Sequence, residues 1–225
     1  MASTDEGKNL DITETLSRTE LYVENNKKNI SIALGVIVVL VGGYFAYKRF
    51  ILEPKEREAQ AQLFVAEKYF ELDSLNLAIN GDGNYLGFES IANDYGMTKS
   101  GNLAHYYLGI CYLKKGEFDK AIDNLKKFDS KDEILAPVAI GAIGDAFMEL
   151  GKMDEASAQY IKAADIKNND FTSPIYLMKA GLAFEKAGKY SEAVSAYEKI
   201  KDKYAKSAEG SEIEKYIARA QYKVK

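Results

Sequence analysis

Any chemistry in this 225-residue chain would have to start from very few side chains. His105 is its one histidine, Cys111 its one cysteine, and there is no tryptophan. A catalytic base or nucleophile needs a second group placed to activate it. His105 falls at a bulky position of an apolar helical pattern, where packing is its expected role. Cys111, between Ile110 and Tyr112, reads as a small buried hydrophobe. One cysteine forms no internal disulfide and supplies no thiolate cluster for zinc or iron–sulfur. Asn80, Asp82 and Asn84 alternate like the opening of a calcium loop. An EF-hand would require glycine where Tyr85 stands and a bidentate glutamate where Ile91 stands, so the segment reads as a polar turn. Asp154 and Glu155 fall at a helix start and read as solvated caps. The chain has no G-x-x-x-x-G-K-[ST], no G-x-S-x-G and no H-E-x-x-H. The expectation is a non-enzymatic protein with no catalytic residue, metal site or cofactor.

With catalysis set aside, the elements that organise the chain carry the function. Lys and Arg number 30 against 34 Asp and Glu, a net charge of −4 that argues against a nucleic-acid partner. The mean hydropathy of −0.29 is that of an ordinary soluble protein, but it averages two unlike parts. From Ile30 to Tyr47 runs ISIALGVIVVLVGGYFAY, without a charge, bounded by Lys27 and Lys28 on one side and Lys48 and Arg49 on the other. As a helix it spans roughly 27 Å, about one hydrocarbon core, and predicts a retained transmembrane helix over residues 29–50. The run begins too far from the start for a signal peptide, and no small-residue cleavage site follows it. Tyr44, Tyr47 and Phe50 suit an aromatic belt at the interface. Gly35, Gly42 and Ala46 form a small-residue seam suited to helix packing in the membrane. Basic residues flank both ends, so the charges do not choose an orientation. Residues 1–28 form a short polar tail, in which Ile12, Leu16, Thr19 and Val23 allow an amphipathic helix or, failing that, a disordered segment.

After the apolar run the sequence repeats itself. Blocks beginning at His105, Ile140 and Leu177 align on Gly109, Gly144 and Gly181, followed by Gly116, Gly151 and Gly188, then Ala121, Ala156 and Ala193. Large, Leu-Gly, aromatic, Gly, Ala and aromatic positions at a period near 34 are the tetratricopeptide (TPR) pattern. The expected fold is all-α: one N-terminal transmembrane helix followed by a TPR α-solenoid over residues 51–225. Within it, a divergent first repeat covers about 56–96, with Phe88, Ile91 and Tyr95 matching Tyr197, Ile200 and Tyr204. Repeats follow at about 102–135, 137–170 and 174–206, and a capping helix at about 208–224.

A TPR array binds partners on the concave face of its first helices. By helical spacing that face carries Leu103, Tyr106, Ile110 and Leu113, then Val138, Asp145 and Met148, then Ile175, Met178 and Leu182. A clamp for a chaperone's C-terminal carboxylate would place Lys, Arg and Asn where Tyr106, Ile110, Gly141 and Leu182 stand. The face is instead mainly apolar, to be covered by the chain's own last helix, by the helix from Glu56 to Leu72, or by an apolar partner segment or unfolded client.

The order of tail, single membrane helix and TPR domain, with Glu24-Asn25-Asn26-Lys27-Lys28, Phe88-Glu89-Ser90-Ile91, Tyr95 and Thr98-Lys99-Ser100-Gly101-Asn102-Leu103-Ala104, resembles a known bacterial family. It is similar to the YfgM-like ancillary subunits of the SecYEG translocon, in a form like those of the Bacteroidetes. The resemblance implies an inner-membrane, single-pass protein with a cytoplasmic N-terminus and a periplasmic TPR domain. It implies SecYEG and a PpiD-like membrane-anchored chaperone as partners, unfolded secreted clients as further ligands, and lipid contact through the anchor. The implied role is an adaptor assisting secreted or envelope proteins, without catalysis. Alternatives are a structural subunit of another envelope assembly, for division or specialised secretion, or a regulator that signals through its cytoplasmic tail.

Overall fold

The computed structural model describes residues 6–224, with side chains described from Glu20 onward. The chain divides into two compact units, Met1–Pro54 and Lys55–Lys225. The first is helix α1, Glu6–Tyr47, followed by a π-helical turn, Lys48–Leu52. Residues 1–5, and the side chains of Ile12, Leu16 and Thr19, lie outside the described residues; Val23 is exposed. The side chains of the apolar run stand exposed from Ile30 to Ala46, and a Cβ added at Gly35 or Gly42 would meet nothing within 4 Å. Pro54 accounts for the wide turn. It offers no N–H, and its ring would collide with the carbonyl four residues back. The backbone relaxes by sending the Glu53 N–H to the Lys48 carbonyl, a five-residue step. Arg49 and Glu53 pair across the turn at 2.6 Å.

Helix α2, Glu53–Glu71, lies in the second unit from Lys55 onward and is followed by α3, Leu75–Asn80, and α4, Phe88–Asp94. Three hairpins come next: α5 and α6 (Lys99–Lys114, Phe118–Lys127), α7 and α8 (Leu135–Glu149, Met153–Asp165), and α9 and α10 (Thr172–Lys186, Tyr190–Lys203). The chain closes with α11, Ala208–Ser211, and α12, Ile213–Val224. Each hairpin turns the same way. The N–H of Gly116 donates to the Leu113 carbonyl and that of Glu117 to the Tyr112 carbonyl, and the same pair of bonds recurs at Gly151 and Gly188. This cap needs a left-handed residue, and the three glycines take φ between 73° and 76°. Pro137 and Pro174 sit in the first turns of α7 and α9, where no intrahelical N–H bond is lost.

The first repeat shows how a divergent copy is accommodated. Asp73, at φ 55°, makes the turn that glycine makes elsewhere, with the same two hydrogen bonds. Ala78 and Ile79 are buried like Ala121 and Ile122. The spacing from Ala78 to Phe88 is ten residues, where Ala193 to Tyr197 is four, so six residues are inserted into the second helix. An antiparallel bridge between Gly81 and Leu86 closes the insertion, and α4 resumes with Phe88 and Ile91 buried. Asp82 folds the loop by accepting the N–H groups of Asn84 and Tyr85 and the Tyr69 hydroxyl. The Tyr85 N–H, then Tyr69 and the Asn84 N–H, hold its carboxyl below the usual range. The calcium-like spacing is thus an Asx turn.

Between the helices of a hairpin, spacing is set by glycine. A Cβ at Gly144 would lie 2.6 Å from the Tyr160 ring and one at Gly181 2.1 Å from the Tyr197 ring; at Gly109 it would meet Leu125 at 2.5 Å. Between hairpins, Tyr176 lies against Gly141 in the same manner. The two side chains that could have suggested catalysis are accounted for by packing. Cys111 is fully buried, its thiol pushed by burial up to about 12. His105 is half-buried, within 3.3 Å of Asn124, and burial lowers its pKa. Among the described residues, every buried polar side-chain atom has a hydrogen-bond partner.

The glycine contacts give a stability test. In an open helix interior, glycine to alanine gains up to ~1 kcal/mol. Gly181→Ala is expected instead to lose about 1–3 kcal/mol, as overpacked cores do, because the Tyr197 ring has to move. Urea denaturation of the variant checks it; a stabilised protein would refute the tight contact.

Candidate protein-binding groove

The positions expected on the concave face divide into two groups. Leu103, Tyr106, Ile110 and Leu113 are half-buried; Leu103 and Leu113 pack on the cluster that joins the first repeat to the first hairpin, and Tyr106, Ile110 and Leu113 on the one that joins the first hairpin to the second. Tyr106 also lies 5.4 Å from the Phe128 ring. Met148 and Met178 pack onto the C-terminal core, with Val138 and Ile175 half-buried nearby in sequence. Leu182 remains 38% exposed. Much of the expected groove is therefore packing between repeats, and the open part lies toward the C-terminal hairpins.

The last helix buries its apolar face elsewhere and reaches that part through Arg219. Ile213, Ile217 and Ala220 of α12 join Tyr197, Ile200 and Tyr204 of the third hairpin, closing the end of the solenoid. The link before α11 repeats an earlier one. The Thr98 hydroxyl accepts the Gly101 N–H at 2.9 Å after Tyr95, and the Ser207 hydroxyl accepts the Gly210 N–H at 3.0 Å after Tyr204. The segment α11–α12 is thus the opening helix of a further repeat, broken at Glu212.

Two chains of polar contacts cross the open face. In the first, the Tyr160 hydroxyl donates to Asp145 at 2.6 Å, and Lys179 of the next hairpin donates to the same carboxylate at 2.8 and 3.0 Å. In the second, the Tyr197 hydroxyl donates to Glu185 at 2.7 Å, and Arg219 of α12 pairs with that carboxylate at 2.7 Å. Each cation is 34 residues beyond its carboxylate, one repeat length. The glycines explain the geometry. A tyrosine ring slides across the bare backbone of the facing helix, and its hydroxyl emerges where an acid can accept from it. Buried phenols need such a partner. Burial first, and then the neighbouring carboxylate, raises the pKa of both Tyr160 and Tyr197.

Between these chains lie two adjoining hollows. One, about 480 Å³, is lined by Met148, Tyr160, Lys179, Leu182, Glu185, Lys186 and Arg219. The other, about 720 Å³, shares Met148, Tyr160 and Lys186 and extends to Leu113 and Phe118. Asp145 and Glu185 are occupied by their ion pairs, whereas Lys186, among the described residues, makes none. The groove therefore offers an apolar floor of Met148 and Leu182 beside a free ammonium group. That arrangement has the chemistry to hold an apolar side chain with a negative charge beside it. Sequence reasoning named Asp145, Met148 and Leu182 but missed Lys179, Glu185, Lys186 and Arg219. The 34-residue offsets were the available signal.

The buried phenols predict alkaline behaviour. Burial, with Glu67 for Tyr107 and Asp145 for Tyr176, pushes both pKa values up to about 12, above the value of 10 in the unfolded chain. The stability they contribute is complete below pH 10 and is lost as pH rises through about 12. Phenolate absorbance should show exposed tyrosines titrating first and unfolding accompanying the rest; Tyr176→Phe should move that unfolding to higher pH. An unchanged transition would show that Tyr176 is not the controlling group.

Comparison with known proteins agrees with the geometry. Residues 103–132, 139–170 and 176–207 match the tetratricopeptide repeat family. The structure is similar to the TPR-like repeats of a Podosopora anserina kinesin light chain, with a TM-score of 0.57 and 16% identity over 76% of this chain and 88% of that one. A singly substituted form of the same repeats gives 0.56 and 16% over 76% and 87%. No curated protein matches the chain in sequence. At that identity the likeness is one of fold: the part of this chain that follows its apolar helix is a tetratricopeptide-repeat solenoid.

Proposed function

We propose that this protein is a membrane-anchored TPR adaptor of the bacterial inner membrane that works beside the SecYEG translocon. Its tail is cytoplasmic, its solenoid periplasmic, and its partners are the translocon and a PpiD-like membrane-anchored chaperone. There it assists secreted or envelope proteins as they leave the channel, without catalysis. The observation that carries the reading is the combination in one chain of an interaction scaffold and an anchor. TPR repeats make protein–protein scaffolds, and the helical run Glu20–Glu71 holds an apolar window, with none of it buried, long and apolar enough to cross a membrane. The choice of translocon rests on the resemblance carried by the Thr98–Leu103 stretch and by the order of the segments. The hollows around Met148, Leu182 and Lys186 are the surface such a partner would use.

Purification of the tagged chain in mild detergent, followed by mass spectrometry, should recover translocon subunits and the chaperone. Recovery of a division or specialised secretion complex, with the translocon intact but absent, would overturn the reading. Leu182→Glu should reduce partner recovery severalfold at an unchanged melting temperature, since Leu182 is exposed; Ile110→Glu should unfold the domain instead, because Ile110 packs between repeats. For orientation, Lys223→Cys should react with an impermeant maleimide in spheroplasts, and protection there would place the solenoid in the cytoplasm.

A further inference from the structure

The two edges of the solenoid differ. The edge of hairpin turns presents Gly116, Gly151 and Gly188 beside Lys115, Lys152 and Lys189. The opposite edge, where one hairpin passes to the next, exposes large apolar side chains: Ile134 at 42%, Ile166 at 43% and Phe171 at 65%. Ile134 and Phe171 are equivalent, each the second residue after a capping side chain. Asp132 accepts the N–H groups of Ile134 and Leu135; Asn169 accepts those of Phe171 and Thr172.

Hydrogen bonds tie these linkers into one row. Asn169 donates to the Glu133 carbonyl at 2.9 Å, joining the linkers on either side of the second hairpin. Asn102 exchanges two bonds with the backbone of Asp129, joining the middle linker to the start of α5. Glu56 in turn accepts the N–H groups of Lys99 and Ser100 and the Ser100 hydroxyl. The row thus ends at Glu56, eight residues past Lys48, where the apolar run has given way to charge. Eight residues reach at most about 28 Å even fully extended.

We propose that this linker edge rests on the lipid bilayer, with Ile134, Ile166 and Phe171 in the boundary between headgroups and acyl chains. The inference rests on the reading of α1 as a membrane anchor. The occupant follows from continuity: the edge that bears the apolar residues is the edge to which the anchor is joined. The two linkers that flank the second hairpin carry Lys131 and Lys167 against Asp129, Asp132, Glu133 and Asp170, so they offer no basic excess to anionic headgroups and the contact falls to the apolar side chains. Binding then needs neither anionic lipid nor low salt.

The test uses the full chain reconstituted in phosphatidylcholine vesicles, carrying an environment-sensitive fluorophore on Phe171→Cys, Lys152→Cys or Val38→Cys. Cys111 is buried and stays unlabelled. A nitroxide-bearing lipid should quench the probe at 171 severalfold more than that at 152, with blue-shifted emission that persists at high salt. Quenching at 38 without quenching at 171 overturns the edge contact and leaves the anchor standing. Quenching at neither position overturns both. A blue shift at 171 that lipid nitroxide does not quench, and that fades as protein is diluted in the bilayer, assigns the edge to a second copy and also overturns the proposal.

Discussion

A tyrosine ring lying on a glycine sets the geometry on which the rest of the solenoid depends. Where Gly144 meets Tyr160 and Gly181 meets Tyr197, the two helices of a hairpin come closer than any side chain on the first helix would permit. Dispersion contacts over the whole ring face then replace those a Cβ would have made. Because each ring is long, it also crosses its neighbour and delivers a hydroxyl to the concave face. One contact therefore fixes helix spacing, fills the core and decides where the polar groups of the groove stand.

The hydroxyls extend that local constraint along the chain. Each phenol and the cation of the following repeat converge on one carboxylate, so adjacent repeats are joined through the acid. Surface ion pairs of this exposure contribute little stability singly. Their effect is directional, since a carboxylate held from two sides fixes the relative rotation of neighbouring hairpins. The first hairpin lacks the device: Gly109 faces Leu125, which fills space and carries no hydroxyl. There the join to the first repeat is aromatic, with Phe88 stacked on Tyr107 at 5.0 Å. Stability in such an array is a sum of neighbour terms, and these joins are of different kinds.

Much of the fold was legible because the repeat pattern is a packing pattern. Small residues at Gly144 and Gly181, left-handed glycines at Gly151 and Gly188 and small residues at Ala156 and Ala193 each follow from one steric requirement, and they recur in register. The first repeat was only half legible. Phe88 and Ile91 are buried as Tyr197 and Ile200 are, but Asp73 replaces the turn glycine and six inserted residues separate Ala78 from Phe88. The groove was the least legible part. Helical spacing finds the positions that point one way, and it does not say how much of each the next hairpin will cover. Ile110 was thus grouped with Leu182, although the one is packed and the other open. The ion pairs were missed because their partners lie a full repeat apart, beyond the reach of local periodicity.

The two carboxylate chains have a consequence for how such a protein can diverge. They hold the curvature of the concave face with Tyr160, Asp145, Lys179, Tyr197, Glu185 and Arg219, none of which needs to change for the groove to meet a new ligand. Met148, Leu182 and Lys186 lie between them, facing the hollows and taking no part in either chain. Architecture and preference are thus only partly separate: Tyr160, Lys179, Glu185 and Arg219 join the repeats and also line the hollow, whereas Met148, Leu182 and Lys186 can change without breaking either chain.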